Sequence, residues 1–377
     1  MDHGRDLRLD LFRGYALFCI FFNHIPNNVA HWLTTRSYGF SDATEIFVFV
    51  SGYSAALAYG GMLRRQGFAV AAARILQRCW QVYCAHILLF VVFIAHIAYV
   101  AEGFENPMLM DEMNLGPFFD EPHRLVLQAL MLTFKPVNMD VLPLYVVLLL
   151  FFAPLLLALE RAPLTVLALS AALWLVVQVT HVNLPNYPKG GWVFNPFAWQ
   201  FLFVLGAWCA TRREAVPPWR RLPRRLFMAL ALGWIAFGVA ITATWAYPPW
   251  GAYVPRLVAQ VLYPISKSEL DWPRLLHFAA IAYAATTLLR HDARVLRSPL
   301  LAPVLWCGQQ SLAVFCVGVF LSFVGHVVLT EVDGSLLSQV LVSAAGVLLL
   351  VGLARLLNWL KDAGRPARPP SPAMERA

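Results

Sequence analysis

Charged residues are scarce in this chain. Only 13% of its 377 residues are Asp, Glu, Lys or Arg, whereas 59% are hydrophobic and the mean hydropathy is +0.62. Soluble domains carry roughly a quarter charged residues, and a soluble fold of this size could not cover so much apolar side chain. The composition excludes an ordinary soluble protein and predicts one whose solvent is the lipid bilayer.

Cysteine pairs and the signature motifs of many soluble enzymes are also missing. None of the six cysteines forms a CxxC pair, which argues against a disulfide framework or a thiolate metal site. The chain has no Walker A motif, no HExxH, no GxSxG and no GxGxxG before a strand. We therefore predict no bound metal. The first apolar run lacks a cleavage site of small residues, so we expect it to be retained as a helix.

The formal net charge of +8 does not indicate a nucleic-acid partner. The basic residues lie in short blocks between apolar runs, a pattern typical of membrane topology. With both termini in the cytoplasm, the inner segments hold most of the 29 Lys and Arg residues. The outer segments hold Arg36, Arg124, Lys135, Lys189, Arg256, Lys267 and Arg274. This alternation predicts cytoplasmic N and C termini.

Apolar runs of about the length that spans a bilayer, roughly 20 residues, predict an all-α polytopic transmembrane bundle of about ten helices. The runs lie near 10–29, 44–63, 78–101, 141–159, 163–181, 195–211, 224–246, 274–290, 300–329 and 336–360. The ninth run is long enough to be tilted or kinked, and the short stretch 123–134 predicts an interfacial or re-entrant helix. We assign residues 1–363 to a single transmembrane domain and 364–377 to a disordered cytoplasmic tail.

The first helix carries the strongest functional signal. Arg13 and His24 are eleven residues apart and lie within about 20° of one helical face, separated by about 16 Å along the axis. Asp10, three residues before Arg13, lies near the same face. An ionisable group inside a membrane helix usually faces the protein interior or a water-filled cavity. We predict that His24 is catalytic, as a general base or as a covalent carrier.

Two further helices carry candidate site residues. Asp42 and Glu45 share a face at the outer end of the second helix, where they either cap the helix or, as we favour for Glu45, orient the imidazole of His24. Arg78 at the inner end of the third helix suits a phosphate group or acts only as a topology signal. His86 and His96 on that helix raise the question of haem, but no facing pair at matched depth is evident, and we predict no haem.

The outer segments are rich in aromatic residues, which form either an interfacial belt or stacking surfaces for sugar rings. We assign Asn23, Trp199 and Lys267 to substrate binding, with Lys189 and Arg256 as further candidate cations for an acidic acyl group.

Four segments resemble a known family. They are RDLRLDLFRG from residue 5, FFNHIPNN from residue 21, GFSDATEIFVFVSGYSAALAYG from residue 39 and GWVFNPFAWQFLFVLG from residue 191. Together they resemble the OpgC-type succinyltransferases of osmoregulated periplasmic glucans, within the membrane acyltransferase type 3 superfamily, whose signature is an arginine and a histidine separated by ten residues. Arg13 and His24 match that signature.

The resemblance implies an acyltransferase in the bacterial inner membrane. It would move a succinyl or related acyl group from cytoplasmic acyl-CoA to hydroxyls of a periplasmic glucan. By this analogy His24 is catalytic, Arg13 is the signature arginine, and Asp10, Asp42 and Glu45 match family positions. We assign Asp42 and Glu45 to catalysis with His24. We assign Arg13, Asp10 and Arg78 to binding of the succinyl-CoA donor. The alternative is a transporter or flippase of a glycan or small anion, in which the same His and Arg line a pathway. Homodimerisation is left open.

Overall fold

The structure, a computed structural model, describes residues 6–106, 108–212 and 223–364. These residues are helical and contain no strand, apart from one isolated bridge between Pro185 and Gly191. The predicted tail, residues 365–377, lies outside the described residues. The α-helices are α1 Leu7–Asn23, α2 Ala43–Gln66, α3 Phe68–Gly103, α4 Met108–Glu112, α5 Gly116–Asp120, α6 Pro122–Leu130, α7 Val141–Leu150, α8 Phe152–Arg161, α9 Pro163–Thr180, α10 Pro196–Thr211, α11 Arg224–Ala246, α12 Arg256–Leu262, α13 Trp272–Leu288, α14 Ala302–Gln309, α15 Ser311–Val327 and α16 Leu336–Ala363.

Each of the ten predicted apolar runs is helical, and the chain is a multi-pass membrane protein by the length and composition of its helices. Six of the described helices are long and apolar enough to cross a membrane, and α7 with α8 makes a seventh if that pair, bent by 56°, is one span. Helices α1, α10 and α13 have only 17, 16 and 17 residues. The count of ten spans and the cytoplasmic termini therefore remain predictions.

Four runs differ in detail from the sequence pattern. The helix of the first run ends at Asn23 rather than near residue 29, and the fourth run is broken between α7 and α8. Helix α3 begins at Phe68 rather than near residue 78 and is 36 residues long, because residues 68–77 are mostly alanine and other apolar residues with one arginine and continue the helix before the predicted run. The ninth run is broken at Gln310 into α14 and α15, and a π-helical turn, Val328–Val332, follows. The short stretch near 123–134 forms α6, whose position relative to a membrane stays a prediction.

Glycines set the closest helix contacts. Gly52 of α2 lies against the carbonyl of Phe203 in α10, and Gly206 of α10 lies against the carbonyl of Phe49 in α2. In the same way, α1 packs on α14 through Gly14. Because small residues let two backbones approach, these contacts fix α1 and α2, the two helices that carry most of the predicted site residues.

Replacing Gly52 with Ala should lower the apparent melting temperature of the protein in detergent. The new Cβ would collide with the Phe203 carbonyl, and overpacking of this kind costs about 1–3 kcal/mol. The matched control is Gly61→Ala in the same helix, where no atom lies within 4 Å of an added Cβ. Equal melting temperatures for the two variants would contradict the close α2–α10 contact.

The positive-inside pattern predicts where reporter fusions become active. A green fluorescent protein fused after Ala377 should fluoresce and an alkaline phosphatase at the same point should stay inactive, since both outcomes require a cytoplasmic C terminus. A phosphatase fused after Gly190, in a predicted outer segment, should be active. The reverse result at Ala377 would overturn the predicted orientation.

Candidate active site

Arg13 is held where three helices meet. Its Nη2 donates a hydrogen bond to Ser54 Oγ of α2 at 2.6 Å, and its Nη1 donates to the carbonyl oxygen of Gly308 in α14 at 3.4 Å. Asp10, which is 2% exposed, lies one turn away on α1 with Oδ1 at 4.0 Å from Nη1. The predicted Asp10 and Arg13 pair is therefore brought together, and it fixes the guanidinium in one orientation.

A cavity of about 170 Å³ opens beside this arginine. Arg13, Ser54 and Arg78 line it, together with the hydroxyl groups of Tyr145 and Ser311. We call it the arginine cavity. Arg78 is half-buried and is also hydrogen-bonded to Gln81 of its own helix at 3.3 Å. Arg13 and Arg78 thus line one polar cavity from two different helices. From the sequence, both residues are assigned to binding of the donor.

His24 lies at the opposite end of α1. It follows the last helical residue, and its backbone N–H donates to the Ile20 carbonyl, so the helical path continues to it. The separation of about 16 Å from Arg13 along the axis therefore holds in the folded chain. Its ring Nδ1 is buried without a hydrogen-bond partner in the described part of the chain. Buried polar atoms are usually hydrogen-bonded, and in the described residues both ring nitrogens of His86 and Nε2 of His277 share this lack of a partner.

Four buried or half-buried charged side chains gather near His24, and we call them the charge cluster: Asp42, Glu45, Lys267 and Arg274. Arg274 Nη2 lies 2.6 Å from Glu45 Oε1 and 3.3 Å from Asp42 Oδ2, and Lys267 Nζ donates to Asp42 Oδ2 at 2.6 Å. Glu45 is fully buried and Arg274 is 8% exposed. Because the two acidic and two basic groups pair, the cluster is neutral as a whole.

The local sequence explains how the two acidic residues are placed. Asp42 precedes α2 and accepts a hydrogen bond from the Thr44 backbone N–H at 2.8 Å, while Glu45 accepts from the Asp42 N–H at 2.9 Å. These bonds form a capping box. The same carboxylates cap α2 and bind cations from α13 and the preceding loop. Capping therefore does not exclude a role of these carboxylates in the site, although the sequence presented the two as alternatives.

The expected contact between Glu45 and His24 is not formed. Both Glu45 oxygens are engaged, one by Arg274 and the other by the Asp42 N–H. Lys267 and Asp42 are the cluster members whose charges act on His24. Glu45 thus influences the imidazole through Asp42 and the helix cap and not by a direct hydrogen bond.

Antiparallel register explains why these residues meet. Arg13 of α1 is bonded to Ser54 of α2, so each step towards the end of α1 moves one residue back along α2. Eleven residues later α1 reaches His24 and α2 reaches the Asp42–Ala43 cap. The same packing that seats Arg13 therefore brings His24 beside the charge cluster.

Trp199 and Asn23, which the sequence assigned to substrate binding, both form hydrogen bonds within the protein. Trp199 is fully buried, and its indole N–H donates to the carbonyls of Lys267 and Ser268 at 3.1 and 3.2 Å. No face of the ring is open to a sugar, so this geometry gives Trp199 a positioning role for Lys267 in place of the predicted acceptor contact. Asn23 accepts a hydrogen bond from Thr34 at 3.0 Å, which fastens the following loop next to His24.

Two further buried or half-buried residues of opposite charge, Lys135 and Asp140, interact electrostatically near the charge cluster. The charge of Asp140 acts on Lys135, and the charges of Lys135 and Lys267 both act on Asp140. Burial lowers the pKa of Lys135 to about 8 and raises the pKa of Asp140 to about 6. Lys135 is further held by Asn186 at 2.9 Å and lies over the Trp192 ring. The loops before α7 and α10 are thereby joined at the His24 end of the bundle.

Comparison with protein families shows which family the chain belongs to. The family model described as OpgC protein matches residues 5–362. The chain belongs to the OpgC family. Searches of curated proteins and of solved structures gave no match. Membership of the OpgC family suggests a glucan-modifying acyltransferase and favours a transferase over the transporter alternative.

Arg274 is the main site residue of this OpgC chain that sequence reasoning missed. The sequence counted it only as one of the outer basic residues. A signal was present, because Asp42 and Glu45 begin an apolar helix whose only cations, Arg64 and Arg65, lie in its last turn at the opposite end. Buried carboxylates require a partner, and Arg274 opens the otherwise apolar run 274–290.

The structure bears on metal and haem binding only through the placement of possible ligand residues. Within residues 6–106, 108–212 and 223–364, no three His, Cys, Asp or Glu side chains are grouped to hold a metal ion. His86 is fully buried in α3, and His96 packs on the ring of Phe320 with centroids 4.8 Å apart. The absence of metal and haem stays a prediction.

Replacing Arg274 with Gln should destabilise the folded protein by about 3–5 kcal/mol, since removing one partner leaves buried charges uncompensated. Adding Glu45→Gln should restore part of the loss, because one of those charges is then removed. The measurement is the apparent melting temperature in detergent.

Arg64→Gln is the control. This arginine pairs with Glu160, but its side chain is 63% exposed, and exposed pairs contribute about 0–1 kcal/mol. Equal stability of Arg274→Gln and Arg64→Gln would contradict the pairing of Arg274 with Glu45 and Asp42.

Proposed function

We propose that this protein is an inner-membrane O-acyltransferase that moves a succinyl or related acyl group from cytoplasmic acyl-CoA to hydroxyls of a periplasmic glucan. The observation that carries the proposal is the arrangement along α1. One end bears Arg13 at a polar cavity, and the other bears His24 with an unpartnered ring nitrogen beside the charge cluster.

The arginine cavity suits part of an acyl-CoA donor. Arg13 and Arg78 supply the planar, permanently charged groups that bind phosphate oxygens well. An engineered cavity of about 150 Å³ binds benzene, so 170 Å³ admits a slender chain but not a nucleotide. In our proposal the nucleotide stays outside, its phosphates contact the two arginines, and the narrow arm carries the thioester along α1 towards His24.

His24 serves as the base in this proposal. Its free ring nitrogen accepts the proton of a glucan hydroxyl, whose oxygen attacks the thioester carbonyl carbon. The new ester C–O bond forms as the C–S bond breaks, and the CoA thiolate then takes up the proton. The covalent route left open by the sequence differs in one observable, because a labelled acyl group would then remain on His24 after rapid denaturation.

The charge cluster supports this chemistry by being neutral and already paired. Arg274 holds Glu45 and Asp42 in place, so Lys267 and the helix cap present fixed charges to His24. Fixed charges in a poorly hydrated site need no reorganisation during the reaction. The surrounding packing also limits attack of water on the thioester.

Replacing His24 with Ala should reduce glucan acylation by roughly 10²- to 10⁴-fold, the range for loss of a general base. The measurement is the anionic charge of periplasmic glucans in cells whose only copy of the gene carries the variant. The matched control is His291→Ala, an exposed histidine beyond α13, which should leave glucan charge unchanged.

Unchanged glucan charge in the His24→Ala strain, with the variant present in the membrane at the normal level, would remove the catalytic assignment. Neutral glucans in the parent strain would instead reject the acceptor. Protein level and melting temperature separate both outcomes from a failure to fold.

A further inference from the structure

Arg36 is a cation whose charge acts on His24 and that the proposed mechanism has not used. It lies in a short 3-10 turn, Thr35–Tyr38, and is exposed. The loop that carries it is fastened along α1, because Thr34 donates to Asn23 at 3.0 Å and Tyr15 donates to the Leu33 carbonyl at 3.2 Å. Its charge acts on both His24 and His31.

Arg36 differs from the other cations of this region in having no acidic partner among the described residues. Arg274 is paired with Glu45 and Asp42, Lys267 is paired with Asp42, and Lys135 is next to Asp140. In the part of the chain that the structure describes, Arg36 forms neither an ion pair nor a hydrogen bond with another side chain. Of the two cations whose charges act on His24, Lys267 is therefore already paired, and the exposed guanidinium of Arg36 is open to an incoming group.

We propose that Arg36 binds the distal carboxylate of the acyl group while the thioester carbon lies at His24. The assignment rests on the proposed acyltransferase function and names the residue that makes it selective for a dicarboxylic acyl group. A short dicarboxylic acyl chain carries its free carboxylate only a few bonds from the thioester carbon. A guanidinium binds a carboxylate through two parallel hydrogen bonds.

The cations that the sequence favoured for this carboxylate fit less well. Lys267 Nζ already donates to Asp42 at 2.6 Å, and moving it away would leave Asp42 with Arg274 alone. Lys189 and Arg256 are exposed, and among the described residues no contact joins either of them to His24 or to the charge cluster. Arg36 needs no existing pair to be broken.

The test compares two donors that differ only in charge. Succinyl-CoA carries the distal carboxylate, and succinamoyl-CoA carries a neutral amide of the same shape in its place. Acyl transfer to purified glucan is measured for the protein in lipid nanodiscs. The parent protein should favour the succinyl donor in kcat/KM by roughly 10- to 100-fold, the range for a hydrogen bond to a charged group.

Arg36→Gln should abolish this preference by weakening transfer from succinyl-CoA while leaving transfer from succinamoyl-CoA within about twofold, a change too small to reflect loss of a charged hydrogen bond. Arg36→Lys should keep part of the preference, because a lysine retains the charge but not the two parallel hydrogen bonds. Arg290→Gln, an exposed arginine paired with Asp292, is the control and should keep the full preference.

Three results would overturn the assignment, and they differ from each other. Equal transfer from both donors by the parent protein would show that the carboxylate is not recognised, with the acyltransferase function intact. A full preference in Arg36→Gln would show that another residue binds it. No transfer from either donor to glucan by the parent protein would reject the proposed function, and the role of Arg36 with it.

Discussion

The buried guanidinium of Arg274 is the contact on which the arrangement at the His24 end depends. It binds Glu45 and Asp42 at once and so joins α13 to the first turn of α2. Neither carboxylate could stay charged in this surrounding without a partner. Since Asp42 also binds Lys267, the loop before α13 is drawn to the same point, and Trp199 fastens that loop through its carbonyls.

Helix α1 connects this end of the bundle to the arginine cavity. Its glycine packs closely on α14, its Arg13 is bonded to α2, and its last turn presents His24. The two ends of a donor molecule can therefore be bound by side chains of one rigid element. The roughly 16 Å between them is set by helical rise and does not depend on loop conformation, so the distance is the least adjustable feature of the proposed mechanism.

The charge cluster and Arg36 differ in electrostatic character. The acidic and basic members of the charge cluster are paired with each other, whereas Arg36 has no charged partner among the described residues. Balanced clusters hold geometry, because every member is restrained by an opposite charge. An unpaired residue such as Arg36 is instead available to a ligand. This difference is the basis for assigning structural roles to Arg274 and Glu45 and a recognition role to Arg36.

The sequence by itself determined the helical class, the approximate position of the apolar runs and the placement of Asp10 near the face of Arg13, since each follows from hydropathy or from helical spacing within one segment. It also placed Arg13 and His24 on one face. Only the tertiary structure decided that Arg274 binds both acidic residues, that Glu45 makes no hydrogen bond to His24, that Trp199 is buried, and that Arg36 has no ion-pair partner among the described residues. These depend on which helices are neighbours, and a linear pattern does not contain that information, because a charge in one apolar run can be paired by any other run at the same depth.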